Sequence, residues 1–88
     1  MWKIHYTSLA EKFIQKQKIE RNTITETILK TLKFLAGENL NIDIKKLKGE
    51  WRGFYRIRQG KLRIILSINF EKQEVVVKRI DFRGSIYK

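Results

Sequence analysis

The sequence predicts an α+β fold: a short N-terminal strand and a helix hairpin packed on one face of a twisted, mainly antiparallel sheet. Three observations predict it. Apolar residues recur at helical spacing as far as Gly37, the period changes to alternation from Trp51 onward, and no Pro-rich, Gly-rich or low-complexity stretch divides the 88 residues. A chain of this length holds one hydrophobic core, so residues 1–88 are expected to form a single domain.

The elements follow in order. Trp2 to Tyr6 (WKIHY) is rich in aromatic and branched residues and predicts a first strand. Thr7 or Ser8 caps a helix in which Leu9, Ala10, Phe13 and Ile14 recur at helical spacing. Thr23 followed by Glu26 matches a capping box and predicts the start of a second helix, with Ile24, Ile28, Leu32 and Leu35 as its buried stripe. Gly37 suits the left-handed residue that ends a helix, and ENLNIDIKKLKG after it reads as an irregular connection. Strands are then expected at about 51–58, 61–70 and 74–82.

The first two of these strands carry an unusual charge pattern, WRGFYRIRQGKLRII. With Gln59 and Gly60 as a two-residue turn, Arg58 faces Lys61 and Arg56 faces Arg63, so all of them share one side of the sheet. The other side collects Trp51, Gly53, Tyr55 and Ile57 with Leu62, Ile64, Leu66 and Ile68, the surface that helices must cover. A slip of one residue buries the charges, so the pattern itself supports the register. Like charges facing each other on a sheet are unfavourable by roughly 0.2 to 1 kcal/mol per pair, which points to an anionic ligand. Arginine suits phosphate, because its planar fork donates paired hydrogen bonds and stays charged at neutral pH. Phe54 and Ile65 fall on the same side and offer an apolar surface to a base, although Phe54 is equally suited to packing on the sheet. Lys48 and Arg52 extend the basic set, and Lys48, Arg52, Phe54, Lys61 and Arg79 are the expected RNA contacts.

The parity of the last strand is left open by its loop. An odd loop places Arg79 and Arg83 on the cationic side with Val76 and Ile80 in the core, and turns Lys78 inward. An even loop buries Val75 and Val77 and sends Arg79 to the helix side.

The net charge of +11 favours an anionic partner such as nucleic acid, an acidic protein segment or an anionic membrane surface. The absence of Cys excludes disulfides and thiolate metal sites, and the lone His5 cannot form a metal cluster, so it reads as a structural or surface residue. No apolar run approaches the roughly 18 to 20 residues of a membrane span. The first residues, MWKIHYTSLAEK, lack the apolar core of a signal peptide, which predicts a cytosolic protein.

Taken in order, LKG at Leu47 to Gly49, GFYRIRQGKLRIILSI and RIDFRGSIYK resemble the RelE branch of the RelE/ParE superfamily of bacterial and archaeal toxins. The likeness covers the second half of the chain well, and the helical half only in length and layout. It implies a toxin of a type II toxin-antitoxin system, a ribosome-dependent endoribonuclease that cuts messenger RNA in the ribosomal A site. It also implies an antitoxin, whose acidic or amphipathic segment covers the basic face, and no metal or small-molecule cofactor. The basic residues of the family fall on Arg56, Arg58, Arg63 and Arg83, and its closing tyrosine falls on Tyr87. Phe82 stands where many relatives carry His, and Ser85 where Asp is frequent.

The implied reaction is attack of a 2′-hydroxyl on the adjacent phosphate, leaving a cyclic phosphate and a free 5′-hydroxyl. Arg56, Arg58 and Arg63 are expected to stabilise the phosphorane and Arg83 to assist the leaving group. Relatives often carry Lys on the strand of Arg56, but this chain has Arg, which is an implausible base, so that role falls on Tyr87. A phenol of ordinary pKa about 10 would need lowering by neighbouring cations. Glu50 is the carboxylate nearest in sequence to the basic strands that is considered for this region. Two rivals remain: a ParE-like toxin that poisons DNA gyrase, and a non-catalytic module that binds RNA or an acidic peptide. Association through this face should depend strongly on salt under every one of these readings.

Overall fold

The computed structural model describes residues 1–82, so Arg83, Ser85 and Tyr87 lie outside the described residues. Its elements are β1 (Lys3–Tyr6), α1 (Ser8–Gln17), α2 (Arg21–Leu35), β2 (Asp43–Lys46), a 3-10 turn (Gly49–Trp51), β3 (Tyr55–Gln59), β4 (Leu62–Asn69) and β5 (Glu74–Phe82). The strands form one sheet in the order β1-β5-β4-β3-β2, with β1 parallel to β5 and the other neighbours antiparallel. The α+β expectation holds.

The helices cover one face only. Ala10 and Ile14 of α1 and Ile24, Ile28 and Leu32 of α2 share a buried cluster with Ile57, Ile64, Leu66, Val75, Val77 and Ile80 of the sheet. Leu9, expected in the stripe of α1, is instead exposed. Thr7 caps α1, its Oγ1 accepting from the Ala10 amide at 3.2 Å. Lys18 adopts a left-handed conformation that ends α1 (φ 53°), and the Ile19 amide donates to the Ile14 carbonyl at 3.0 Å. This turn leaves only Lys18 to Glu20 between the helices.

The short link moves the start of α2. The helix begins at Arg21 with Glu20 as N-cap, not at a Thr23–Glu26 capping box; Thr23 already lies in the first turn, its amide donating to the Glu20 carbonyl at 3.1 Å. Thr27 and Thr31 are buried within α2, where each hydroxyl donates to the carbonyl four residues earlier. Beside this junction Arg21 pairs with Glu11 at 2.6 Å and lies 4.7 Å over the Tyr6 ring. The hydrogen bond with Glu11 raises the Arg21 pKa.

Three further expectations are corrected. The segment after Gly37 is not wholly irregular: Asp43–Lys46 pairs with β3 as an edge strand. Trp51 and Gly53 are not on the inner face of a strand, because Gly49 (φ 65°) and Gly53 (φ 94°) take conformations that fold residues 48–54 into a turn, and β3 starts only at Tyr55. The β3–β4 turn is Gly60–Lys61, not Gln59–Gly60, since Gln59 pairs with Leu62. Gly60, at φ 58°, occupies the first central position, where a two-residue hairpin favours glycine. This displaces the register by two residues, so Arg58 faces Arg63 and Arg56 faces Ile65. An even displacement keeps every side chain on its expected side.

The parity of β5 has a composite answer. Four residues, Phe70 to Gln73, join β4 to β5, and Val75 and Val77 are buried as the even loop requires. The register then shifts, because Leu66 pairs with Val77 while Ile65 pairs with Arg79. Lys78 is the extra residue of a β-bulge and is exposed. Beyond it the phase is reversed, with Ile80 in the core and Arg79 on the open face. The bulged carbonyl is not idle: it accepts a 2.7 Å hydrogen bond from the Thr7 hydroxyl.

Candidate functional site

The open face of the sheet gathers side chains from four strands. Across it, register places Asp43 beside Arg58, Lys45 beside Arg56, Arg58 beside Arg63, Arg63 beside Asp81, and Ile65 between Arg56 and Arg79. Alternation along each strand explains why they share a side. Arg56, Arg58 and Arg63 therefore share a side as the alternation predicted, and the β5 bulge brings Arg79, whose side the sequence leaves open, to join them. Ile65 is fully buried beneath them, so it is a floor of the site and not a surface for a base.

The arginines differ in exposure and partners. Arg56 is 7% exposed, and its Nη2 lies 3.0 Å from Asp43 Oδ1. Arg58 is half-buried, and its Nη1 is 3.9 Å from Asp43 Oδ2. One carboxylate thus bridges two guanidinium groups. It fixes Arg56 firmly, through a charge-assisted hydrogen bond, and Arg58 only loosely. The buried Nε atoms of Arg56 and Arg58 have no hydrogen-bond partner among the described residues. Buried donors of this kind are normally satisfied.

Sequence alone does not show Asp43 as a site residue, because it does not show β2. The signal was present in NIDIKK, where Ile42 and Ile44 alternate with Asp43 and Lys45, but the run is short and bounded by polar residues. Asp81, on β5 opposite Arg63, is a second carboxylate on this face, and its Oδ1 accepts from the Phe82 amide at 2.8 Å. Asp43 and Asp81 thus place two carboxylates on the face that carries the arginines. Glu50 is exposed on the 3-10 turn.

The remaining expected contacts separate. Lys61 lies exposed in the hairpin turn and does not face Arg58. Lys48 lines a groove of about 460 Å³ with Lys45, Lys46, Leu47, Trp51 and Arg56. Arg52 and Phe54 line a second groove of about 280 Å³, which shares Lys46 and Leu47 with the first. Phe54 packs edge-to-face on Trp51 with ring centroids 5.8 Å apart, and so has a packing role. His5 Nε2 lies 3.5 Å from Glu74 Oε2 on the β1 and β5 strands. Among the described residues no group of three His, Cys, Asp or Glu is placed to hold a metal ion, and no helix is long and apolar enough to cross a membrane.

No family model and no curated protein matches the sequence. Solved structures do match the fold. A copper-bound mutant toxin from Helicobacter pylori aligns with a TM-score of 0.72 at 14% identity, over 99% of this chain and 100% of that one. A chain of the toxin-antitoxin complex RelBE2 from Mycobacterium tuberculosis aligns at 0.60 and 24% identity, over 93% and 98%. YafQ from E. coli, in its DinJ complex, aligns at 0.64 and 16% identity over the whole of both chains. The chain has the RelE-like α+β fold.

Proposed function

We propose that this chain is the toxin of a type II toxin-antitoxin pair and an endoribonuclease that cuts messenger RNA in the ribosomal A site without a metal ion. The observation that carries the reading is the convergence of Arg56, Arg58, Arg63 and Arg79 on the open face of a sheet whose other face is closed by helices. A cluster of guanidinium groups on a rigid sheet is suited to a phosphate that gains charge during reaction. The fold neighbours support the same reading, since those from M. tuberculosis and Staphylococcus aureus were solved as toxin-antitoxin complexes.

In the proposed reaction the 2′-oxygen loses its proton to a base and forms a bond to phosphorus, while the bond from phosphorus to the 5′-oxygen breaks and that oxygen takes up a proton. Arg58 and Arg63 neutralise the nonbridging oxygens of the phosphorane. Arg56, held by Asp43, supplies a fixed positive charge at the margin of the same spot. Arg83 is assigned to the leaving 5′-oxygen and Tyr87 to the base. The antitoxin's acidic or amphipathic segment covers this face in the resting cell, where its carboxylates replace the RNA phosphates.

Primer extension on a translated message, with and without ribosomes and with and without a chelator, tests the proposal. Codon-spaced cuts that require ribosomes and survive chelation are expected. Gyrase-trapped DNA breaks would identify the ParE-like activity instead, and RNA binding with no cuts would identify a binding module. Tyr87→Phe should reduce cleavage far more than ribosome binding; equal losses in both would remove Tyr87 from the role of base.

A further inference from the structure

The groove beside β2 has a composition that charge stabilisation at the scissile phosphate does not require. Lys45, Lys46 and Lys48 line it within four consecutive residues, Arg56 forms part of its wall, and Trp51 supplies an aromatic surface. Among the described residues no carboxylate lines it. The indole is held in place. Phe54 braces it edge-to-face, the Trp51 amide donates to the Lys48 carbonyl at 3.3 Å, the Phe54 amide to the Trp51 carbonyl at 3.0 Å and the Leu47 amide to the Phe54 carbonyl at 3.0 Å. Arg56 is more than nine-tenths buried, and its Nε lacks a hydrogen-bond partner among the described residues.

We infer that this groove is a nucleotide subsite, in which an RNA base lies against the Trp51 indole and its phosphate is held by Lys45, Lys48 and Arg56. The inference rests on the RNA reading above and names a contact that reading lacks, a base-binding surface outside the scissile position. Aromatic stacking beside cations is the usual means of holding a single strand without reading its sequence. An acidic peptide would satisfy the lysines but leave the indole uncovered. Arg56 and Arg58 are two residues apart on β3, about 7 Å at the rise of a strand. That spacing lets one RNA strand run from the subsite to the arginines of the open face. Phe54, which sequence alone offered as the stacking ring, is the brace and Trp51 the platform.

The chain has two tryptophans, so Trp2→Phe leaves Trp51 as the sole indole reporter. A short single-stranded RNA with 2′-O-methyl groups, which cannot be cut, is titrated into this variant, with an abasic version and a polyglutamate peptide as parallel probes. Saturable quenching of Trp51 by the RNA, and much weaker quenching by the other two, is expected. Binding measured by anisotropy should weaken roughly fivefold to a hundredfold in Trp51→Ala and recover in Trp51→Phe, which keeps an aromatic face. Unchanged affinity in Trp51→Ala, a silent indole, or equal quenching by polyglutamate overturns the subsite. Ribosome-dependent cleavage by the wild-type chain is measured alongside. If cleavage persists while Trp51 is silent, the subsite alone falls; if wild type produces no cuts, the nuclease reading has failed separately.

Discussion

The two faces of this sheet solve opposite problems on shared strands. The helix-covered face is filled by Ile57, Ile64, Leu66, Val75, Val77 and Ile80, whose burial needs only shape and apolar surface. Among the described residues the open face has one fully buried aliphatic residue, Ile65, under a layer of arginines. Its order depends on charge compensation, and the carboxylates stand on the strands that flank the arginines: Asp43 on β2, paired with Arg56 and Arg58, and Asp81 on β5, opposite Arg63. A core face is therefore specified by the strands that form it, whereas a cationic face also needs counterions from elements far away in sequence.

The sharpest way to break this contrast is to truncate neighbours that point in opposite directions. Ile64→Ala and Ile65→Ala should each cost about 2 to 5 kcal/mol in denaturant unfolding, because both side chains are fully buried. A loss below about 1 kcal/mol for Ile65→Ala would show that the arginine layer does not pack as a second core. Arg58→Ala should act in the reverse sense. Cleavage of a translated message should fall about 100- to 1000-fold, the scale of losing one charge stabiliser, with little change in the unfolding midpoint. A stability loss matching the activity loss would make Arg58 structural.

Asp43→Asn sharpens the comparison at its boundary. Weakening the contact to buried Arg56 should cost about 1 to 2 kcal/mol of stability, reduced from the value for a buried pair because Asp43 is half exposed. Removing that negative charge should also tighten RNA binding at low salt while lowering cleavage, since Arg56 is less firmly oriented. Weaker RNA binding in this variant would show that orientation outweighs net charge. The smallest effect belongs to Lys61→Ala, which should change RNA affinity by no more than about twofold because its charge is exposed in the turn.

What could be read from sequence follows the same division. Alternation placed Arg56, Arg58 and Arg63 on one side and Ile57, Ile64 and Leu66 on the other, and it tolerated a turn misplaced by one residue because the resulting register change is even. The edge strand β2 was not legible, since four residues with two lysines and an aspartate carry little strand propensity, and with it went Asp43. The start of α2 was missed for a different reason. Thr23 and Glu26 have the right spacing for a cap, but the left-handed turn at Lys18 brings the chain into the helix three residues sooner. Local alternation continues through Trp51 and predicts a strand there, whereas the positive φ angles of Gly49 and Gly53 turn the backbone.

The bulge at Lys78 sets the reading frame for the distal part of β5. Deleting that one residue would send Arg79 toward the helices and lift Ile80 into solvent, although no side chain of the core or of the arginine cluster would have changed identity. Homologous chains should therefore be superposed with an insertion allowed at this point. A gapless match running through it would pair inward-facing positions of one protein with outward-facing positions of the other. The Thr7 hydroxyl, bound to the bulged carbonyl, makes the first turn of α1 the latch that keeps this frame.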